Sequence, residues 1–197
     1  MSAVEIQIAG FGGQGIVLAG MTIGRGLVVS EDSHVSLTQS FGPEARGSAC
    51  SVQLIVSRDP VLYPYLTKAD ILVTMSQDAY RRFSPNLKEG GTLIFEEDLV
   101  RPAMPDEELE RRYRVFRVPA TRLAEELGRK MVMNIVLVGF FVAVTGLIRP
   151  ESARRAITDS VPPGTESLNL AAFEKGLAYG LAQVAGKPAE AIAAPAK

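Results

Sequence analysis

Glu5-Ile6-Gln7-Ile8-Ala9-Gly10-Phe11-Gly12-Gly13-Gln14-Gly15-Ile16 runs from a strand pattern straight into a turn with four glycines. Ile6 and Ile8 alternate with Glu5 and Gln7, the period of two that a strand requires. From Ile16 to Val29 the apolar residues Val17, Leu18, Met21, Leu27 and Val28 recur at helical spacing. A strand, then Gly10-x-Gly12-x-x-Gly15, then a helix is the order that lets backbone N–H groups at a helix N-terminus face a phosphate. The same glycines serve a tight turn and close helix–sheet packing, so the pattern alone leaves both readings open. Gly13 removes one more side chain from the turn, which suits close approach by another backbone.

The next strand, His34-Val35-Ser36-Leu37-Thr38, ends in Gln39-Ser40. A turn that binds NAD needs an acidic residue at this strand end to hold the ribose 2′-OH. Glu31 and Asp32 come before the strand, where they can only cap the turn, so the NAD reading is disfavoured. The polar loop from Gln39 to Ser48 includes Phe41-Gly42-Pro43-Glu44-Ala45-Arg46-Gly47 and is expected beside the glycine turn, at the carboxyl edge of the sheet. Arg46 offers a planar, permanently charged donor fork for a phosphate or carboxylate, and Glu44 is placed to orient it. A surface loop with a local ion pair, worth under about 1 kcal/mol, is the plainer reading.

Further along, Ala49 to Val56 and Ile71-Leu72-Val73-Thr74-Met75 read as strands. Ser76-Gln77-Asp78-Ala79-Tyr80 opens a helix that Ser76 is suited to cap, with Gln77 expected in the crevice of the glycine turn. Lys88-Glu89-Gly90-Gly91 reads as a turn before a strand from Gly91 to Phe95, and Tyr113 to Pro119 as one more strand. Helices are expected over residues 120–128 and 167–184. Strands alternating with helices predict an α/β domain with a mostly parallel sheet, helices on both faces and a Rossmann-like glycine-rich first turn. The domain is expected over residues 1–185, with an Ala/Pro-rich flexible tail over 186–197.

Composition narrows the function. The 197 residues are 47% hydrophobic and 22% charged, and 21 Lys+Arg against 22 Asp+Glu give a net charge of −1. That balance offers no electrostatic basis for binding nucleic acid or an anionic membrane. One cysteine, Cys50, and one histidine, His34, cannot by themselves ligate an iron–sulfur cluster or a His/Cys metal site. The start, Met1 to Ile6, lacks the basic and apolar regions of a secretory signal, so a cytoplasmic location is expected. Met131 to Ile148 is an uncharged run of marginal membrane-spanning length. Asn134, Gly139, Thr145 and Gly146 within it favour a helix buried in an α/β domain.

Taken together, several stretches resemble the γ subunits of the 2-oxoacid:ferredoxin (acceptor) oxidoreductases. They are Gly10 to Gly20, Ser40-Phe41-Gly42-Pro43-Glu44-Ala45-Arg46-Gly47, Tyr63-Pro64, Met75 to Tyr80, and Met133-Asn134 opening the apolar helix. The resemblance covers residues 4 to 180. It departs at Gly47-Ser48, where Gly-Gly is usual, and at Cys50, where a polar or basic residue is common; both blur the substrate.

The resemblance implies a non-catalytic subunit of a complex that oxidatively decarboxylates a 2-oxoacid to an acyl-CoA. Thiamine diphosphate and Mg²⁺ would lie in α and β partners, and iron–sulfur clusters in a ferredoxin-like subunit or in ferredoxin. Coenzyme A would be the co-substrate, and no activity is expected of this chain alone. Gly10, Gly12, Gly13, Gln14, Gly15, Pro43, Glu44, Arg46, Gly47, Ser76 and Gln77 would contact coenzyme A, another phosphate or a partner chain. 2-Oxoglutarate or an aryl 2-oxoacid is preferred over pyruvate. A nucleotide-binding dehydrogenase domain and a purely structural assembly subunit are the alternatives.

Overall fold

Ile6 and Ile8 of β1 (Val4–Phe11) face one side of a six-stranded sheet, and Gln7 faces the other. A computed structural model describes residues 3–31, 33–42 and 49–186. The remaining strands are β2 (His34–Phe41), β3 (Ala49–Ser57), β4 (Ala69–Thr74), β5 (Leu87–Glu96) and β6 (Arg114–Val118), in the order β2-β3-β1-β4-β5-β6. β1, β4, β5 and β6 are parallel neighbours, and β3 runs antiparallel to both β1 and β2. The sheet is therefore mostly parallel with one reversed strand, as the alternating pattern predicted in outline.

The first face is covered by α1 (Ile16–Glu31), α5 (Met133–Thr145), α6 (Pro150–Thr158) and α7 (Glu166–Ala185), with α4 (Ala120–Glu125) joining the same core. On the second face, α2 (Gln77–Phe83) and α3 (Asp106–Arg112) contribute Tyr80 and Leu109 to a smaller core with Leu72, Leu93, Phe95 and Val115. Over β1, β3 and β2 that second face is polar instead. Thr38 donates to Gln53 Oε1 at 3.3 Å, Gln53 to Gln7 Oε1 at 3.1 Å, and Gln7 to Val52 O at 3.2 Å.

The uncharged run is the central helix of the first face. Every residue of α5 except Ala143 is buried. Gly146, at φ 64°, ends it in a left-handed cap whose N–H donates to Val142 O at 3.0 Å. Thirteen residues remain helical, and no helix among the described residues is long and apolar enough to cross a membrane. On its outer side α5 packs against α7 with almost no side chains between. A Cβ on Gly139 would fall on Phe173 O, and one on Gly176 on Val136 O.

Several boundaries differ from expectation. β2 continues through Gln39-Ser40 to Phe41, residues read from sequence as loop, because strand pairing with β3 persists to Phe41↔Cys50. Lys88 to Gly91 is not a simple turn but part of β5, at an irregularity in its pairing with β4, where Gly90 takes φ 75°. Helix α4 stops at Glu125 rather than at 128. α3 and α6 were not anticipated. The expected cap by Asp32, the loop Pro43-Glu44-Ala45-Arg46-Gly47-Ser48 and the tail 187–197 lie outside the described residues.

Candidate functional site: the glycine turn at the carboxyl edge

β1 delivers the chain to the turn at Phe11, and α1 takes it up at Ile16. Gln14 holds the turn. Its Oε1 accepts from Phe11 N at 2.7 Å, and its Nε2 donates to Met75 O at 2.8 Å at the end of β4. Gln14 N also donates to Phe11 O at 3.1 Å, and Met75 N to Ala9 O at 2.8 Å. Gly10 is a packing glycine, since a Cβ there would meet the Gln14 amide and Met75 Cβ. Gly13 differs: it is exposed, at φ 99°, and a Cβ would meet nothing within 4 Å. The tip of the turn is thus bare backbone, open to approach, on a base fixed by one glutamine.

Gly15 takes φ 71°, and its would-be Cβ lies 2.5 Å from Asn134 Nδ2. Asn134, in the first turn of α5, donates to Gly15 O at 3.4 Å. This supplies the partner a buried amide needs and sets the start of α5 directly against the glycine turn. The sequence placed Asn134 in a buried helix but gave no sign that it reached the turn.

Across the same edge, Ser76 is buried and caps α2, accepting from Ala79 N at 3.2 Å. Gln77 Nε2 donates to Arg101 O at 3.1 Å, while its Oε1 accepts from Arg101 N at 2.6 Å. Gln14, Ser76 and Gln77 therefore spend these hydrogen bonds on the chain's own loops, and they shape the edge. Sequence reasoning passed over Glu96, a fully buried carboxylate at the end of β5. It accepts from Asp98 N at 2.7 Å, Leu99 N at 2.9 Å and Thr121 N at 3.2 Å. Its only sequence signal is an acid directly following a buried strand.

Electrostatically the edge has two halves. Glu96, Glu97 and Asp98 make the β5 end acidic, with Arg122 held by Asp98 at 2.7 Å and Glu97 at 3.3 Å. The glycine turn, at the positive end of the sixteen-residue α1, has no acid in the first helical turn. An anion is favoured over the turn and opposed beside β5.

The ends of β2 and β3 lie on this anion-favouring half. Ala49 pairs with Phe11, and Gly42 N donates to Ala49 O at 2.8 Å; Arg46, between Gly42 and Ala49 in sequence, lies outside the described residues. Cys50 pairs with Gly10 on one side and Phe41 on the other. Burial pushes its thiol above the ordinary cysteine range. Alkylation of the folded chain near neutral pH should then be at least roughly tenfold slower than in denaturant. Equal labelling rates in the two states would show Cys50 to be open.

The arrangement departs from a dinucleotide site in one respect. The neighbours of β1 are β3 and β4, so the end of β2 lies a full strand away from the glycine turn. The position that would hold a ribose is occupied by an antiparallel strand.

Fold and turn define an α/β domain with a glycine-rich turn between β1 and α1, in a strand order unlike that of a dinucleotide-binding fold. Residues 5–179 match the family model for pyruvate ferredoxin/flavodoxin oxidoreductase, and the chain belongs to that family. It is 43% identical to the 2-oxoglutarate synthase subunit KorC of Methanocaldococcus jannaschii over 174 residues, 87% of this chain and 91% of that one. Among solved structures, the γ subunit of the keto/oxoacid ferredoxin oxidoreductase of Geobacter sulfurreducens PCA superposes with a TM-score of 0.81 at 34% identity. The match covers 92% of this chain and 98% of that one. The 2-oxoglutarate:ferredoxin oxidoreductase of Magnetococcus marinus, solved with 2-oxoglutarate, coenzyme A and succinyl-CoA, shares the fold. Its TM-score is 0.79 at 20% identity over 92% of this chain and 32% of that chain. The chain is accordingly a subunit of an oxidoreductase complex, similar to γ subunits.

Proposed function

We propose that this chain is the γ-type subunit of a cytoplasmic, thiamine-dependent 2-oxoacid:ferredoxin oxidoreductase, and that 2-oxoglutarate is its complex's substrate. The complex would convert 2-oxoacid and coenzyme A to acyl-CoA, CO₂ and a proton, passing two electrons to the acceptor. The observation carrying the chain's own part is the bare tip of the glycine turn. Gly13 is open to approach, while Gln14 and Asn134 fix its base. The substrate assignment rests on the named 2-oxoglutarate relative.

One cysteine, one histidine and no Gly-Asp-Gly run leading to an asparagine do not equip this chain to hold a cluster or a Mg²⁺-diphosphate. Those groups belong to α, β and ferredoxin-like partners, where thiamine supplies the carbanion chemistry. This chain's residues bind and orient. Gly12, Gly13 and Gly15 present backbone to a coenzyme A phosphate, and Arg46 supplies a guanidinium fork for the same phosphate. On the same reading Pro43, Glu44 and Gly47 contact coenzyme A or a partner chain.

Co-expression with thiamine-binding and ferredoxin-like chains should yield one complex that reduces ferredoxin with 2-oxoglutarate and coenzyme A. Within it, Arg46→Ala should raise the KM for coenzyme A roughly 10–100-fold with assembly intact. Arg46→Lys should recover little, since lysine loses the planar fork. Loosened assembly with normal coenzyme A kinetics would instead place Arg46 against a partner chain. Failure to co-elute with any thiamine-binding chain would end the reading.

A further inference from the structure

The two edges of the sheet are treated unequally. β6 is five residues long, carries Arg114 and Arg117, and Gln183 of α7 donates to Arg117 O. Short length, charge and a covering side chain are the usual defences of an edge strand. β2, at the other edge, has none of them among the described residues. It runs eight residues, His34–Phe41, in unbroken register with β3, with no Lys, Arg, Asp, Glu or Pro.

Beside β2 lies an apolar groove of about 610 Å³ between α1, β2 and the end of α6. Met21, Val28 and Val29 on the α1 wall are 38%, 51% and 56% exposed. Val35 and Leu37 line the β2 side, and Arg25 binds Asp159 O and Ser160 Oγ at the α6 end. Further along the same face of β2, Phe41 is 64% exposed. An aromatic ring and three aliphatic side chains left in water along an undefended edge mark a surface that another strand covers.

We propose that the occupant is β2 of a second copy of this chain, paired antiparallel about a two-fold axis at Thr38. The sequence of β2 is nearly self-complementary in that register. Val35 meets Phe41 of the partner subunit, a β-branched–aromatic pair on the groove face, and this occurs twice. Ser36 meets Ser40, and Thr38 meets Thr38, on the polar face. Leu37 meets Gln39, whose methylenes cover it. Val35, Leu37 and Phe41 stay on the groove face with Gln39 as its one polar member, hydroxyls meet on the polar face, and no like charges meet. The isologous arrangement continues the sheet through twelve strands and lays the two Met21–Val29 ridges along one side of the joint. The proposal is independent of the ligand at the glycine turn.

The full chain, purified alone, should sediment as a dimer. Ser36→Lys with Ser40→Lys sets ammonium groups opposite one another and should weaken the dimer roughly tenfold or more, with an unchanged far-UV circular dichroism spectrum. Ser36→Glu with Ser40→Lys makes both pairs attractive and should keep or tighten it. Thr38→Cys should link to itself on mild oxidation, in the isolated chain and in the assembled complex. Ser36→Cys should not, because its copies lie about 13 Å apart along the strands. A monomer at all concentrations, a dimer indifferent to both charge pairs, equal cross-linking of the two cysteine variants, or linkage of position 38 to a different chain would each overturn the proposal.

Discussion

Gly176→Ala should lower the stability of the chain by roughly 3–5 kcal/mol, seen as a fall of about 10 °C in its unfolding temperature. A single methyl group has this effect because it would fall on the carbonyl oxygen of Val136, in the backbone of the facing helix. No rotamer relieves a clash between a Cβ and a main-chain atom, so α5 and α7 must move apart. Separation would open gaps around Phe140, Phe141 and Phe173, all fully buried. At a helical glycine without such a contact, alanine would stabilise by up to about 1 kcal/mol. The sign of the change therefore decides whether the two helices touch. Gly24→Ala is the control, since its Cβ would sit 3.3 Å from Leu54 Cδ2, a side-chain end that can shift. It should be mild.

Gly15→Ala should cost about 2–4 kcal/mol from two separable sources. The residue sits at φ 71°, where a Cβ costs roughly 1–2 kcal/mol, and the methyl would displace Asn134. Removing the obstacle isolates the second source. Gly15→Ala combined with Asn134→Ala should cost less than the two single changes added together, by about 1 kcal/mol or more. Strict additivity in thermal unfolding would mean that Asn134 does not support the turn. Gly13→Ala carries only the conformational cost, because open space surrounds its would-be Cβ. Any larger loss of activity on that change reports on whatever approaches the tip.

These contacts show where a single sequence stops being informative. The glycine spacing, the strands and the buried uncharged helix could be read because each repeats one chemical choice over several residues. Gln14 and Gln77 could not be distinguished from ligand-binding amides, since both uses need the same two-ended hydrogen-bonding group. The positions of Met75 O and the Arg101 backbone, which these amides bond within the chain, are not visible in the sequence. α3 was missed because Leu109 is its one buried residue, too little to show a period. In α6, the small Ala153 and Ala156 do the packing beside Ile157, and a helical face built on alanine is faint. Strand order was also hidden: nothing local in residues 49–57 announces that β3 will insert beside β1 in the opposite direction.

That reversed strand has a consequence for how such a domain can be retuned. Gly42 and Ala49 are hydrogen-bonded at the base of the hairpin, and β2–β3 pairing below them is continuous. The length of the tip is therefore uncoupled from the register of the sheet. For a flexible loop, doubling the number of residues adds only about 0.6 kcal/mol of closure entropy. A segment of different length or charge could be exchanged between Gly42 and Ala49 without disturbing β1, α1 or the glycine turn. The scaffold thus separates a part that must stay fixed, the backbone cradle, from a part whose size and chemistry are free to vary.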